Sequence, residues 1–294
     1  MKLLIQENIL KREPRYQQLI SALNFFEMDY TLVNLFSFVD KIYSNDVTSL
    51  QLETSEEIEI DTKIPTLTFG SQKLSRLATE RGLSPAAFNS DNFDFEKWSK
   101  GFGLSNILNY DTQLVKIKDL DIIDSKMFIR PLKDDKSFNG MLLNAESLTR
   151  WKSEVIEHQE KEGAYLNENT IISVASPKTI YSEHRFFAIG RDPVTCSTYR
   201  KMGATIYDEK VEQHILAVAM SMCRGWQPER AYVIDIADTP DGPKVIEINS
   251  FGVSGFYHCD MFKLIDGIKR SEDILLNPYK LDSRNTLEAG RYKI

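Results

Sequence analysis

Between Ala231 and Ser250 two stretches of strict alternation flank a Pro240-Asp241-Gly242 turn, a pattern that specifies a β-hairpin. Tyr232, Ile234 and Ile236 alternate with Val233, Asp235 and Ala237, and after the turn Lys244, Ile246 and Ile248 alternate with Val245, Glu247 and Asn249. If residues 238 and 244 pair across the turn, Asp235 lies opposite Glu247, with Cβ atoms about 4.5–5.5 Å apart. Asp235, Glu247 and Asn249 then converge as oxygen ligands on one face. Two carboxylates at that separation repel unless a cation lies between them, and hard oxygen donors suit Mg²⁺. The alternative is a solvated hairpin face carrying ordinary acidic residues.

The first third of the chain has a different rhythm. Lys2 to Gln6 is a short apolar run, and Pro14 precedes Tyr16, Leu19, Ile20 and Leu23 at helical spacing. Tyr30 to Phe36 and Pro65 to Phe69 read as further strands; a helix carrying Leu74, Leu77 and Ala78 follows the second and closes at Gly82. Strand and helix in alternation predict a parallel, Rossmann-like sheet. The acidic stretch from Glu53 to Asp61 reads as an exposed excursion, and Asp111 to Lys126 as a polar linker. Beyond it, antiparallel-looking strands are interrupted by two helices, one through Leu148, Trp151 and Val155, the other through Val211, Ile215 and Met222. The expected division is an α/β domain over residues 1–118 and an α+β unit over residues 119–294, which agrees with the two-domain prior for 294 residues.

Composition narrows the function classes. With 36 basic against 43 acidic residues the net charge is −7, which disfavours nucleic acid as a partner. The three cysteines, Cys196, Cys223 and Cys259, form no zinc or disulfide spacing. The apolar run at the N-terminus is too short for a secretory signal, and none elsewhere is long enough to span a membrane, so a cytoplasmic protein with no membrane partner is expected. His158, on the apolar stripe with Trp151, and His184, beside Glu183, read as structural. No base accompanies any cysteine to make it a nucleophile.

Cations collect at strand ends: Arg130 before Pro131, Lys136 in a loop closing at Phe138-Asn139-Gly140, Lys178, Arg185 and Arg200. Singly each is a surface charge or a salt-bridge partner. Beside a metal-binding face, together, they read as a triphosphate site. The order Phe128-Ile129-Arg130-Pro131, Lys136, Pro177-Lys178-x-Ile180, Glu183-x-Arg185-Phe186-Phe187, Ser197-x-Tyr199, Asp235, Glu247-x-Asn249 and Gly255-Phe256-Tyr257-x-Cys259-Asp260 resembles the ATP-grasp superfamily. It is most similar to the clade named for one arginine and two lysines (R-two-K). The match covers most of residues 65–268, extending more weakly to Asn92-Phe93-Asp94-Phe95 and Ile107-Leu108-Asn109.

The resemblance implies a Rossmann-like pre-ATP-grasp domain followed by an ATP-grasp fold of two α+β subdomains, with ATP between them. It places Arg130 where a phosphate-binding lysine is usual, Lys136 and Lys178 beside the nucleotide, and the adenine hinge at Ser173, Val174, Ala175 and Ser176. It implies Mg²⁺ on Asp235, Glu247 and Asn249. The implied activity is ADP-forming ligation of a small-molecule or peptide carboxylate to an amine or thiol through an acyl phosphate. Arg185 and Arg200 are the catalytic candidates, orienting the carboxylate or stabilising the acyl phosphate. Tyr199 and Asp260 are the substrate-pocket candidates. A phosphotransferase on the same fold, or a non-catalytic nucleotide-binding scaffold, are the alternatives, and the converging carboxylates argue against the scaffold. Neither the substrates' identities nor the oligomeric state is written in these motifs.

Overall fold

The computed structural model describes residues 1–123, 125–132, 138–161 and 166–277. Its first sheet contains β1 (Lys2–Gln6), β2 (Asp29–Phe36), β3 (Val39–Ser44), β4 (Thr66–Phe69) and β5 (Pro85–Ala86), in the order β3-β2-β1-β4-β5. All neighbours are parallel except β2 and β3. Between these strands run α1 (Glu7–Leu10), α2 (Tyr16–Phe25) and α3 (Gln72–Glu80). The Ser71 side chain caps α3 by accepting from the Leu74 N–H, and Gly82, at φ +78°, follows its end. The acidic excursion is not wholly exposed: Ile58 and Ile60 return to pack against the core of Leu4, Val33, Leu74 and Leu77.

Two antiparallel sheets follow. The smaller, in the order β6-β9-β7-β8, is built from β6 (Gln113–Lys116), β7 (Met127–Pro131), β8 (Met141–Leu143) and β9 (Ile171–Ala175). The segment expected to be a linker is therefore part of a sheet. The helix α4 (Phe95–Phe102) precedes this sheet, and Val115 and Met127 pack with buried Ile117, Leu120, Ile129 and Ile172 beneath α5 (Ala145–His158), which supplies Leu148 to that cluster. Six apolar residues spread among ten polar ones gave no periodic signal in that stretch, although Val115, Ile117 and Leu120 share one buried side.

The larger sheet runs β12-β11-β10-β13-β14, from β10 (Ser182–Ile189), β11 (Asp192–Lys201), β12 (Ala204–Asp208), β13 (Ala231–Asp238) and β14 (Lys244–Ser250). One face buries Phe186, Tyr232, Ile234 and Ile248 against α4 and against α6 (Gln213–Gly225). The other changes character along its length. Phe187, Ile189 and Val233 pack on α2, on the first sheet and on α7 (Met261–Arg270). Two residues before Phe187 the same face carries Arg185, and then Glu183. That switch from apolar to charged marks the boundary between core and cleft. Among the described residues no helix is long and apolar enough to cross a membrane.

Candidate functional site

The hairpin register holds at its centre and slips at its turn. Asp235 is paired with Glu247, as expected, but Ala237 rather than Asp238 faces Lys244. An irregularity between Asp235 and Ile236 absorbs the one-residue difference. Without it, every side chain of one strand would sit on the wrong face.

Arg185, on the neighbouring strand β10, is directly beside Asp235. Its Nε and Nη2 donate to the two Asp235 oxygens at 2.9 and 2.7 Å, and Nη1 donates to the Gly255 carbonyl at 3.2 Å. The pair is almost fully enclosed, with side-chain exposures of 8% and 1%. Glu247 is more open: Arg130 Nη2 approaches it at 3.8 Å and Arg185 Nη2 at 4.0 Å, while Asn249 Nδ2 donates to it at 3.1 Å. Burial pushes Asp235 up to about 6, and neighbouring Glu247 acts in the same direction against the pull of Arg185. Glu247, against the cost of its own burial, is held below the ordinary glutamate value by Arg130, Asn249 and Arg185.

Whether this set fits Mg²⁺ is decided by its free lone pairs. Both Asp235 oxygens are engaged by Arg185, so Asp235 can enter a metal shell only through lone pairs that Arg185 leaves. Glu247 accepts from Asn249, and the Asn249 side-chain oxygen can also act as an acceptor. Among the described residues no three His, Cys, Asp or Glu side chains gather to hold an ion. The donor set of two carboxylates and one amide nonetheless suits a hard cation that completes its shell with phosphate oxygens and water.

Two cavities meet here. One of about 350 Å3 is lined by Arg130, Arg185, Glu247, Asn249, Ser254 and Gly255 among others. The second, of about 510 Å3, places Phe128 and Leu142 of the small sheet across from Ile180 and Ile246, with Lys178 and Arg200 at its edges. An apolar slot between two sheets, opening onto cations and carboxylates, is the shape that receives a flat base and a polyphosphate.

The remaining sequence-derived residues divide. Lys178 lines the slot but is held by Asp111 at 2.7 Å and by Ser176 Oγ at 2.5 Å, and it lies 5.0 Å from the centre of the Tyr110 ring. Ser173 and Val174 are paired on both edges, with β6 and with β7, so their backbone offers no open edge to a base. Ala175 is paired only with β7, and Ser176 lies beyond the strand and lines the slot. The open part of the expected hinge is thus its C-terminal half. Tyr199 donates to Glu183 at 2.9 Å, and Arg200, about half exposed, donates to the same carboxylate at 3.0 Å. Burial, with Asp235 and Glu183 nearby, keeps the Tyr199 phenol protonated as that donor.

Asp260 lines neither of the two cavities; it caps α7, accepting from the Phe262 and Lys263 amides. Lys136 lies outside the described residues. Three participants had no assigned role in the sequence reading: Glu183, Asp111 and Tyr257, whose ring stacks on Tyr199 at 4.6 Å and faces Arg185 at 4.7 Å. Glu183 and Tyr257 stood in the quoted motifs, whereas Asp111 sat at the start of the apparent linker.

His184 faces away from the cleft. Its Nδ1 lies 2.8 Å from Thr198 Oγ1, which itself donates to the Lys210 carbonyl, and its Nε2 lies 2.8 Å from Ser182 Oγ. Thr198 must then accept, which places the ring proton on Nδ1. Burial pushes this imidazole down to about 4 from 6.5. Between those two values the unfolded chain binds a proton that the native one does not, so stability falls as pH drops through 6.5 toward 4. From pH 7 to pH 5 the wild type should lose about 2 kcal/mol more than His184→Gln in urea unfolding. Equal losses would mean that His184 titrates normally in the fold.

Comparison with known proteins converges on one fold. The model of a sequence family described as "ATP-grasp domain, R2K clade family 3" matches residues 68–268. No curated protein matches the chain. Similar solved structures include a RimK domain protein ATP-grasp from Sphaerobacter thermophilus DSM 20745, with TM-score 0.57 and 14% identity over 94% of this chain and 100% of that one. A D-alanine–D-alanine ligase from Bacillus anthracis complexed with ATP gives TM-score 0.54 and 10% identity over 99% and 100%. D-cycloserine synthetase DcsG gives 0.57 and 10% over 93% and 99%. At such identities the likeness is one of fold.

Proposed function

The chain belongs to the ATP-grasp domain family, R2K clade family 3, and from that premise we propose that it is an ADP-forming ligase. It would join a small-molecule or peptide carboxylate to an amine or thiol through an acyl phosphate, releasing ADP and phosphate. The observation that carries this reading is the meeting of Glu247 and Asn249 with Arg130 and Arg185 at the end of an apolar slot between two sheets. The structures named as D-alanine–D-alanine ligase and D-cycloserine synthetase support it as proteins of like fold.

A carboxylate attacking a γ-phosphoryl group approaches a strongly negative centre, so the protein's task is positioning and charge neutralisation. Phe128, Leu142, Ile180 and Ile246 would enclose the base, with Ala175 and Ser176 at its edge. Arg130, from the small sheet, would reach the phosphates. Arg185 is fixed by Asp235, Gly255 and the Tyr257 face, so it can hold the entering carboxylate without reorganising. Arg200 stands farther out, oriented by Glu183. Glu247 and Asn249, with Asp235 behind them, would hold Mg²⁺, which when bound neutralises charge developing between the β- and γ-phosphates.

Calorimetric titration of Mg·ATP into the native protein should show binding that Glu247→Ala, Asn249→Ala weakens at least about 100-fold, roughly 2.7 kcal/mol. Product analysis then separates the chemistries. Inorganic phosphate released with an amide or thioester marks a ligase, and a phosphorylated acceptor marks a phosphotransferase. A folded native protein that binds no Mg·ATP would remove both.

A further inference from the structure

One polar side chain in the apolar slot is buried without a partner. Asn109 is 6% exposed and lines the cavity of about 510 Å3 with Phe128, Leu142, Ile180 and Ile246, but not the smaller cavity that holds Arg130 and Asn249. Its place is set by backbone. Ile107 pairs with Val245 in parallel beside β14, and the Leu108 N–H donates to the Val245 carbonyl at 2.8 Å. The Asn109 carbonyl accepts from the Thr112 amide and hydroxyl at 3.2 and 2.8 Å. Among the described residues nothing hydrogen-bonds to the Asn109 side-chain amide, and its nitrogen and oxygen are not sealed within the protein, so both open into the slot. An amide held this way in an apolar setting costs free energy until a ligand pairs with it.

The hinge edge of the same slot has little left to offer a base. Ser173 and Val174 are paired with strands on both sides, and Ala175 with Phe128. The Ser176 amide donates to Asp111 at 3.1 Å, its hydroxyl donates to the same oxygen, and the next residue, Pro177, has no N–H. Purine ring nitrogens accept hydrogen bonds, and adenine adds an amino group that donates. With the Ser176 amide spent, Asn109 supplies what the hinge lacks, a donor and an acceptor side by side.

We propose that Asn109 selects the nucleobase: its amide pairs with the amino group and an adjacent ring nitrogen of adenine, so that base specificity rests on this side chain rather than on hinge backbone. With guanine, whose O6 and N7 both accept, the Asn109 oxygen has no donor to take and stays buried unpaired. Asn109, in the weaker of the sequence motifs, thereby gains a role. The inference deepens the ligase reading, on which it rests for the nucleotide.

The test is calorimetric titration of the full chain with the Mg²⁺ complexes of ATP, GTP and purine riboside triphosphate, which lacks only the amino group. The native protein should bind ATP at least about tenfold more tightly than either of the others. Asn109→Leu, which breaks no hydrogen bond among the described residues, should bind ATP and purine riboside triphosphate within about twofold of each other. Asn109→Asp, of the same shape but without the donor, should shift the ATP-to-GTP ratio toward GTP by about tenfold. A merely structural role would weaken all three nucleotides together and leave the ratios unchanged. The proposal falls if the native protein binds the three alike, a result that needs no variant to fold, or if either folded variant keeps the native ratios. Those outcomes leave the ligase reading standing, whereas a folded native protein that binds none of the three removes both.

Discussion

Arg185→Met should destabilise the protein by about 3–5 kcal/mol, and Asp235→Leu by a similar amount, because each leaves a buried charge without its partner. The two side chains are joined by two hydrogen bonds of 2.9 and 2.7 Å, at 8% and 1% exposure. In water either charge would be solvated at no cost, but here the main compensation for lost solvation is the other charge, helped for Arg185 by the Gly255 carbonyl and the Tyr257 face. The double variant Arg185→Met, Asp235→Leu removes both and should recover most of the stability while abolishing ADP formation. Urea unfolding of the four proteins closes the cycle. Single variants costing less than about 1 kcal/mol would mean that water reaches the pair and that Asp235 is free to act as a metal ligand.

Gly252→Ala is expected to cost about 3 kcal/mol and to weaken nucleotide binding with it. A Cβ at this position would stand 2.0 Å from the Thr68 carbonyl oxygen and 3.0 Å from the Ala87 Cβ. The obstacle is backbone, which cannot rotate aside. Gly252 also donates to the Ala87 carbonyl at 3.2 Å and accepts from the Gly70 amide at 2.9 Å, so it fastens the end of β14 to the first sheet. Relief of the clash must move one of them, and Glu247 and Asn249 lie within five residues upstream. Gly225→Ala, where a Cβ meets nothing within 4 Å, is the control and should change stability by less than about 0.5 kcal/mol. A Gly252→Ala protein as stable as that control would show that the sheets can part at little cost.

Both effects come from contacts between segments far apart in the chain, and the same distinction separates what could be read in advance. The hairpin was legible because alternation reports directly on which side of a strand each residue occupies. Strands β1, β2 and β4 were legible as buried runs, and α2 and α3 by their stripes. Strand β6 was missed because its apolar residues are few and scattered, and β12 because it is an exposed edge with no buried residue in it. Asp260 was read as a pocket candidate from its nearness to β14, and its role as the cap of α7 had no signal in that reading.

From the order of residues alone followed the parallel sheet ahead of the antiparallel ones, the convergence of Asp235, Glu247 and Asn249 and the family resemblance, since each rests on local periodicity or on spacing along one chain. The folded protein decided which charges meet. Arg185 answers Asp235 because β10 and β13 are neighbours in register, and Arg130 reaches Glu247 because two sheets face one another. Burial and counter-charge are properties of what surrounds a side chain in space. No pattern along the chain encodes them, so the pairing of Arg185 with Asp235 and of Lys178 with Asp111 was silent in the sequence.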